Sequence, residues 1–399
     1  MIGTTPALYA LGGGPVRLVG QGVLSPQVAF SRASTAFATG ADGTAWQAAG
    51  VDAPRLSGAA RRLLMEGQRT NLIQNPGNAG AAAGPLGSGG ALPTGWGIST
   101  GINYEIAPVT RWGLPGVDIR FVGTPNTANA RALSPGSFTT GTAGAQHAFS
   151  ALVALVAGAL PASLSSFVFR NGSETDIGVT FLPGAAPQRL SFTKTLPSTT
   201  VGPQFRWTFT NTTTAVDFTL FVSAWQVEAG GFVSTPVFPP AGTSAASTRA
   251  ADLASLALGT ARAARGTLAG TFLLPQAAPA GIELGLLQLD DGSEGNRIAF
   301  RIGAGGVTAG VQVVSGGSTA ATLAGTAVTP GTAFRAALAW DPGGVALCLG
   351  GGAVQSYAGA PPPGLARLLI GRAAFGEIGP LDLHASRLPD SGLQALTTA

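Results

Sequence analysis

Apolar and polar residues alternate in short runs along most of the chain, with glycine- and proline-bearing turns between them. Residues 217–228 (DFTLFVSAWQVE) show the pattern at its clearest. An extended chain points successive side chains to opposite faces. Phe218, Leu220, Val222, Ala224 and Gln226 therefore share one side, and Thr219, Phe221, Ser223, Trp225 and Val227 the other. Both sides are mainly apolar, as for a strand inside a two-layer sandwich. Further strand-like runs at 117–122, 147–156, 166–170, 177–182, 189–195 and 204–210 recur at the spacing of an all-β sandwich.

A second series begins at Gly266: GTLAGTFLLP, IELGLLQLDD, NRIAFRIG, GVQVVSG, FRAALAWD, GVALCLGG, ARLLIGR and GPLDLHASR. Turns such as DDGSEGN and DPGG separate these runs. RLPDSGLQALTT near the end predicts one short helix with Asp390 as its N-cap. Ahead of both series, residues 30–37 and 45–56 flank an Asp42-Gly43 hairpin signal. Residues 63–72 (LLMEGQRTNL) fit either a short strand or a helical turn. The resulting division is a hairpin-rich docking segment (1–72), a sandwich (73–238), a Pro/Ser/Thr-rich linker (239–265) and a second sandwich (266–399). Whether the first segment stands alone or completes a later sheet is open at this level.

Composition sharpens the picture in two places. Charged residues are 10% of the 399, against about 25% in an ordinary soluble domain. Two explanations are equally good: a surface covered by copies or by a larger particle, or a coding bias toward Ala, Gly and Arg. Lys194 is the only lysine, which supports the bias. The net charge of +4 does not point to nucleic acid, because the arginines are scattered and only Arg61-Arg62 are adjacent, whereas a basic patch is needed to track phosphates. Cys348 is alone, so no intrachain disulfide or CxxC site is encoded, and it reads as a buried thiol. The N-terminus lacks a basic start and a long apolar core, so no signal peptide is expected. The most apolar run, residues 148–160, is too short to span a membrane as a helix, which takes about 20 residues, and reads as a buried strand.

Chemistry-bearing constellations are few. Glycosidases place two carboxylates across the scissile bond, and the nearest groupings are Glu174/Asp176 and Asp290/Asp291/Glu294, both in turns. His147 and His384 lie inside strand patterns, and no GxSxG elbow is present. The expectation is a protein that is not an enzyme. Asp290, Asp291, Glu294 and Asn296 supply oxygen donors within one turn, a candidate for structural calcium, without the EF-hand spacing; no other cofactor is implied. Sugar binding uses aromatic faces flanked by amides and carboxylates. Tyr104 and Trp112 are the aromatic candidates, with Asn103, Asn171 and Asp176 as hydrogen-bonding partners. Trp46, Trp96, Trp207, Trp225 and Trp340 read as packing residues. No heptads encode a coiled-coil shaft.

The order of these blocks resembles modules of bacteriophage tail and virion proteins. FSRASTAF…DGTAWQAAGVDAPRL…LLMEGQRTNLI is similar to a recurring prefix of those proteins. LPTGW, HAFSALV, RLSFTKTL and WQVEAG resemble a jelly-roll carbohydrate-binding module. DDGSEGNRIAFRI, AWDPGGVALCLGG and LLIGR…GPLDLHASRLPDSGLQAL resemble a concanavalin A-like, or laminin G-like, sandwich. The resemblance implies a virion or phage-like particle component, such as a tail fibre, receptor-binding or head decoration protein. It would be made in the host cytoplasm, pack with other virion proteins and bind host cell-surface polysaccharide. Weak sites gain avidity in multiple copies, so a homo-oligomer is expected, with a trimer as the first guess. The alternatives are a purely structural virion protein without a ligand and a polysaccharide depolymerase.

Overall fold

The computed structural model describes residues 14–136, 141–172, 178–372 and 375–398. The described chain is built almost wholly of antiparallel strands, with two short helices. It forms two compact units, one of Met1–Ala33, Val51–Gly67 and Ala251–Ala399, the other of Ser34–Gly50 and Gln68–Ala250. Residues 14–72 are thus shared between the units. Residues 239–265 contain the strands Ser247–Arg249 and Leu253–Ala257 and the helix Thr260–Ala264, so this stretch contributes to both units. Among the described residues no helix is long and apolar enough to cross a membrane.

The unit of residues 34–50 and 68–250 is a sandwich. Its six-stranded sheet runs Gln188–Thr195, Gln146–Gly158, Val216–Ala229, Leu114–Gly123, Asn103–Arg111, Gly84–Pro85. The facing sheet runs Gly97–Ile98, Arg131–Ser134, Pro203–Phe209, Leu164–Asn171, Val179–Phe181. Aromatic rings join the layers: Phe121 meets Trp207 at 5.4 Å, and Trp225 meets Phe205 at 4.5 Å and Phe169 at 6.0 Å. Such pairs add about 0.5–1.5 kcal/mol each beyond the area they bury.

The strict alternation expected along residues 217–228 breaks at Ala224. Leu152 pairs with Ser223 and Ser150 with Gln226, so two residues oppose one, and Ala224 takes φ 51°. This β-bulge turns Trp225 and Val227 into the same core as Phe218, Leu220 and Val222, correcting the face assigned to them from sequence. The outer face is apolar for a separate reason. Phe221, Leu152, Leu114 and Ala224 are covered there by Phe37 and Trp46 of the Ala36–Thr39/Trp46–Ala49 hairpin, together with Trp112 and Phe238.

Asn71 locks the bulge. Its Nδ2 donates to the Trp225 and Val237 carbonyls at 2.9 and 3.0 Å, and its Oδ1 accepts from the Ile73 and Val227 amides at 3.0 and 3.1 Å. The RTNL and WQVEAG motifs, 154 residues apart, meet in this one buried amide. Beyond the strand, Glu228 accepts from the Ser234 amide at 2.9 Å and Gln226 from the Val237 amide at 2.8 Å, which brings the chain back along the strand.

The other unit is also two-layered. Its nine-stranded sheet centres on Phe375–His384, which pairs with Gly266–Leu273 along one edge. Along its other edge it pairs with Arg62–Glu66 and with Val16–Gly20. The seven-stranded sheet runs Ser318–Leu323, Ala309–Ser315, Arg297–Ile302, Leu284–Asp290, Arg367–Ile370, Leu253–Ala257, Ala29–Ser31. Phe272 and Phe300 join the layers at 5.3 Å. Outside the nine-stranded sheet, Ala269, Ala337, Ala339, Ala346 and Cys348 make a small-residue seat for Leu393 of the Asp390–Thr397 helix. The N-cap of that helix is Pro389 and not Asp390, which sits in the first turn, where its charge complements the helix dipole.

Four charged residues are packed inside this unit. The Asp252 carboxylate accepts from Arg32 Nη1 at 3.0 Å, from Arg55 Nη2 and from the Glu66 amide at 2.8 Å. Arg55 Nη1 also reaches Glu66 Oε2 at 2.5 Å. All four side chains are at most 1% exposed. Burial works to lower the Arg55 pKa, but the facing charges of Glu66 and Asp252 outweigh it and hold the guanidinium above its ordinary value.

Asn71→Ala strands four buried backbone groups and is expected to cost about 3 kcal/mol or more, read as a lower urea midpoint for the unit holding Trp225. Arg55→Met removes a cation from between two buried carboxylates and is expected to cost about 3–5 kcal/mol. A midpoint unchanged in either variant would contradict the role given to that residue.

Candidate functional site

Outward-facing residues of the seven-stranded sheet form a polar layer. On Leu284–Asp290 these are Gln288 and Asp290, which are 2% and 0% exposed although they lie on the outer face. They are buried by neighbouring arginines. Arg367 Nε donates to Asp290 Oδ1 at 2.5 Å, Gln288 Nε2 to Asp290 Oδ2 at 2.7 Å, and the Gly292 amide to Asp290 Oδ1 at 2.9 Å. Arg372 pairs with Glu294 at 2.7 Å and approaches Gln288 Oε1 at 3.4 Å. Arg297 links Glu294 at 2.7 Å to Gln312 at 3.0 Å.

Where this layer meets the sheet edge, a groove of about 390 Å³ opens over the strands Ala29–Ser31, Leu253–Ala257 and Arg367–Ile370. Its size falls in the range of small-ligand sites, about 300–1,000 Å³. Leu253, 62% exposed, and Leu369 give it apolar surface, Ser31 and Ser255 give hydroxyls, and Arg367 and Arg372 stand along one side. The side chains of Arg367 and Arg372 are 42% and 45% exposed. Asp252, the one carboxylate in the lining, is 3% exposed and held by Arg32 and Arg55. An apolar floor beside hydroxyls and guanidinium groups suits a polar ligand with flat, weakly apolar faces.

Among the described residues, none of the site residues named from sequence lines this groove. Tyr104 is 4% exposed, packed edge-on against Phe121 at 5.2 Å, with its hydroxyl donating to the Ser99 carbonyl at 2.9 Å. Burial pushes its phenol pKa up, partly opposed by the Arg131 charge. Its ring is therefore core and offers no face to a sugar. Trp112 is half-buried with φ 48°, edge-on to Phe221 at 5.5 Å in the layer beneath the hairpin. Asn103 is exposed at the start of its strand, opposite Val122. Asn171 is 1% exposed, its Oδ1 accepting from the Gly202 amide at 2.7 Å, a loop-closing role. Asp176 and Glu174 lie outside the described residues.

The acidic turn is closed by its own side chains. Asp291 accepts from the Ser293 amide at 2.8 Å, the Ser293 hydroxyl at 2.7 Å and Asn296 Nδ2 at 2.8 Å, while Asn296 Oδ1 accepts from the Gly316 amide at 2.9 Å. Asp290 serves Arg367, and Glu294 serves Arg297 and Arg372. The four oxygen-bearing side chains are thus not gathered on one point, and among the described residues no three His, Cys, Asp or Glu come together as a metal cluster. His147 is buried, with Nδ1 3.1 Å from the Ala145 carbonyl.

No protein-family model matches the chain, and no curated protein matches it. Among solved structures, a carbohydrate-binding module (CBM40) of a Ruminococcus gnavus IT-sialidase bound to α2,3-sialyllactose shares 20% identity over 35% of this chain and 86% of its own, with a TM-score of 0.30. The CBM22-1–CBM22-2 tandem domain of Paenibacillus barcinonensis Xyn10C shares 12% identity over 76% of this chain and 99% of its own, with a TM-score of 0.23. Likenesses this distant assign no ligand.

The turn makes a pH prediction. Hydrogen bonds from the Ser293 hydroxyl, first, and from Asn296 lower the Asp291 pKa below 3.8. A depressed folded-state pKa stabilises the turn above the unfolded pKa, and that contribution is lost as pH falls through the folded value. Carboxyl NMR titration is expected to place Asp291 below 3.8 and to move it upward in Ser293→Ala. An unshifted Asp291 in the parent chain would contradict the geometry.

Proposed function

We propose that this chain is a non-catalytic glycan-binding component of a phage or phage-like particle, with the groove of residues 29–31, 253–255 and 367–372 as its saccharide site. The observation that carries the binding reading is the groove itself, where an apolar floor lies beside hydroxyls and two half-exposed guanidinium groups on a hydrogen-bonded sheet. Pyranose rings present the matching chemistry, apolar faces edged by hydroxyls. The particle assignment is supported by the sequence resemblance of the successive blocks to virion modules. In such a setting each weak site is multiplied by copy number, so the chain acts as a homo-oligomer, with a trimer as the working stoichiometry.

A second reading, a packing protein with no ligand, is favoured by one observation. All six tryptophans are buried or half-buried in apolar clusters, which leaves no tryptophan platform for stacking on sugar. The two readings part in one experiment, binding of the purified, labelled chain to host cells before and after their surface polysaccharide is stripped. The glycan reading expects binding that disappears with the polysaccharide and falls at least about tenfold in Ser255→Tyr, which fills the groove. Equal or absent binding on both preparations would overturn it in favour of packing.

A further inference from the structure

Building on the reading of the groove as a saccharide site, we propose that its ligand is acidic and that Arg367 grips a sugar carboxylate. Arg367 is held from behind. Its Nε is tied to Asp290, which is 0% exposed and is itself fixed by Gln288 and the Gly292 amide. Among the described residues the two terminal nitrogens of Arg367 have no hydrogen-bond partner, and the residue lines the groove. A guanidinium anchored through Nε presents its Nη1–Nη2 edge as a planar fork, and a carboxylate meets such a fork with two parallel hydrogen bonds.

The anchor also limits the entropy lost on binding. A free arginine must give up rotamer freedom to hold a ligand, whereas Arg367 has already lost it to Asp290. Arg372, whose two terminal nitrogens face Glu294 and Gln288, lines the same groove and is 45% exposed. The Asp252 carboxylate does not oppose an anion, because Arg32 and Arg55 flank it. The site therefore selects for acidity through Arg367 and for a saccharide through the floor of Leu253 and Leu369. A salt-sensitive contribution to affinity is expected from the half-exposed arginines.

The test compares an oligogalacturonate with its full methyl ester of the same length, on the intact chain, by isothermal titration calorimetry. The two probes share a backbone and differ in the carboxylate. The expected result is tighter binding of the acid form by about tenfold or more, the size of a charge-assisted pair. In Arg367→Lys, which keeps the charge and loses the fork, this preference is expected to shrink while the thermal melt stays in place. Should that variant not fold, Arg372→Gln gives a second reading, with a smaller loss of preference. Equal affinity for acid and ester would overturn the carboxylate assignment and leave the saccharide site standing. Failure to bind either probe would overturn the carboxylate assignment. Added to a lack of polysaccharide-dependent cell binding, it would remove the saccharide site as well. A preference for acid that is unchanged in the folded Arg367→Lys chain would place the carboxylate elsewhere.

Discussion

The carboxylate of Asp252 is the point on which the unit carrying the groove depends. Asp252 immediately precedes the strand Leu253–Ala257 and Arg32 immediately follows the strand Ala29–Ser31, so their ion pair continues the antiparallel ladder that begins at Leu253 and Ser31. Through Arg55 and the Glu66 amide the same carboxylate reaches the strands Arg55–Ser57 and Arg62–Glu66, which belong to the opposite sheet. One buried anion thus fastens the edge of the seven-stranded sheet to the nine-stranded one. Removing two charges from water costs several kcal/mol per ion, so such a cluster is a poor source of stability and a good source of register. A one-residue slip of Ala29–Ser31 would separate Arg32 from its partner and leave a buried charge alone. Because Ala29–Ser31 and Leu253–Ala257 also form the groove, its shape is inherited from this cluster.

The sheets differ in how they cover their outer faces, and this decides where a ligand can bind. A hairpin rich in aromatic residues covers the apolar outer face of the six-stranded sheet. A short helix seated on alanines covers part of the nine-stranded sheet. The seven-stranded sheet is covered by its own side chains, with arginines lying over Gln288 and Asp290. A layer made of charged side chains stays wet and adaptable at its rim, where side chains already fixed by buried partners can meet a solute without reordering. The groove lies where that layer ends.

Much of the fold was legible in the sequence because alternation reports burial directly. Over the described residues the strand runs, the Asp42-Gly43 hairpin, the buried Cys348 and the closing helix lie where the pattern placed them. The bulge at Ala224 was not legible, since an extra residue leaves alternation intact on paper while it turns Trp225 inward. Nor was the cover over Phe221, whose partners Phe37 and Trp46 come from a segment far away in sequence. The site was hidden for the same reason. Ser31, Leu253 and Arg367 come from three distant stretches, two of them read as docking segment and linker, and no local spacing joins them. Tyr104 and Trp112 looked available because they lie near loops, yet the fold needs their rings for packing. Three of the scattered arginines proved to be partners of buried carboxylates, Arg32 and Arg55 of Asp252 and Arg367 of Asp290.

The most direct test of this account is amide chemical-shift mapping of the intact, isotope-labelled chain during titration with host-surface polysaccharide fragments. Perturbations are expected to concentrate at Ser31, Leu253, Ser255, Leu369 and Arg372. Perturbations centred on Asn103 and Trp112, or none at saturating fragment, would contradict it.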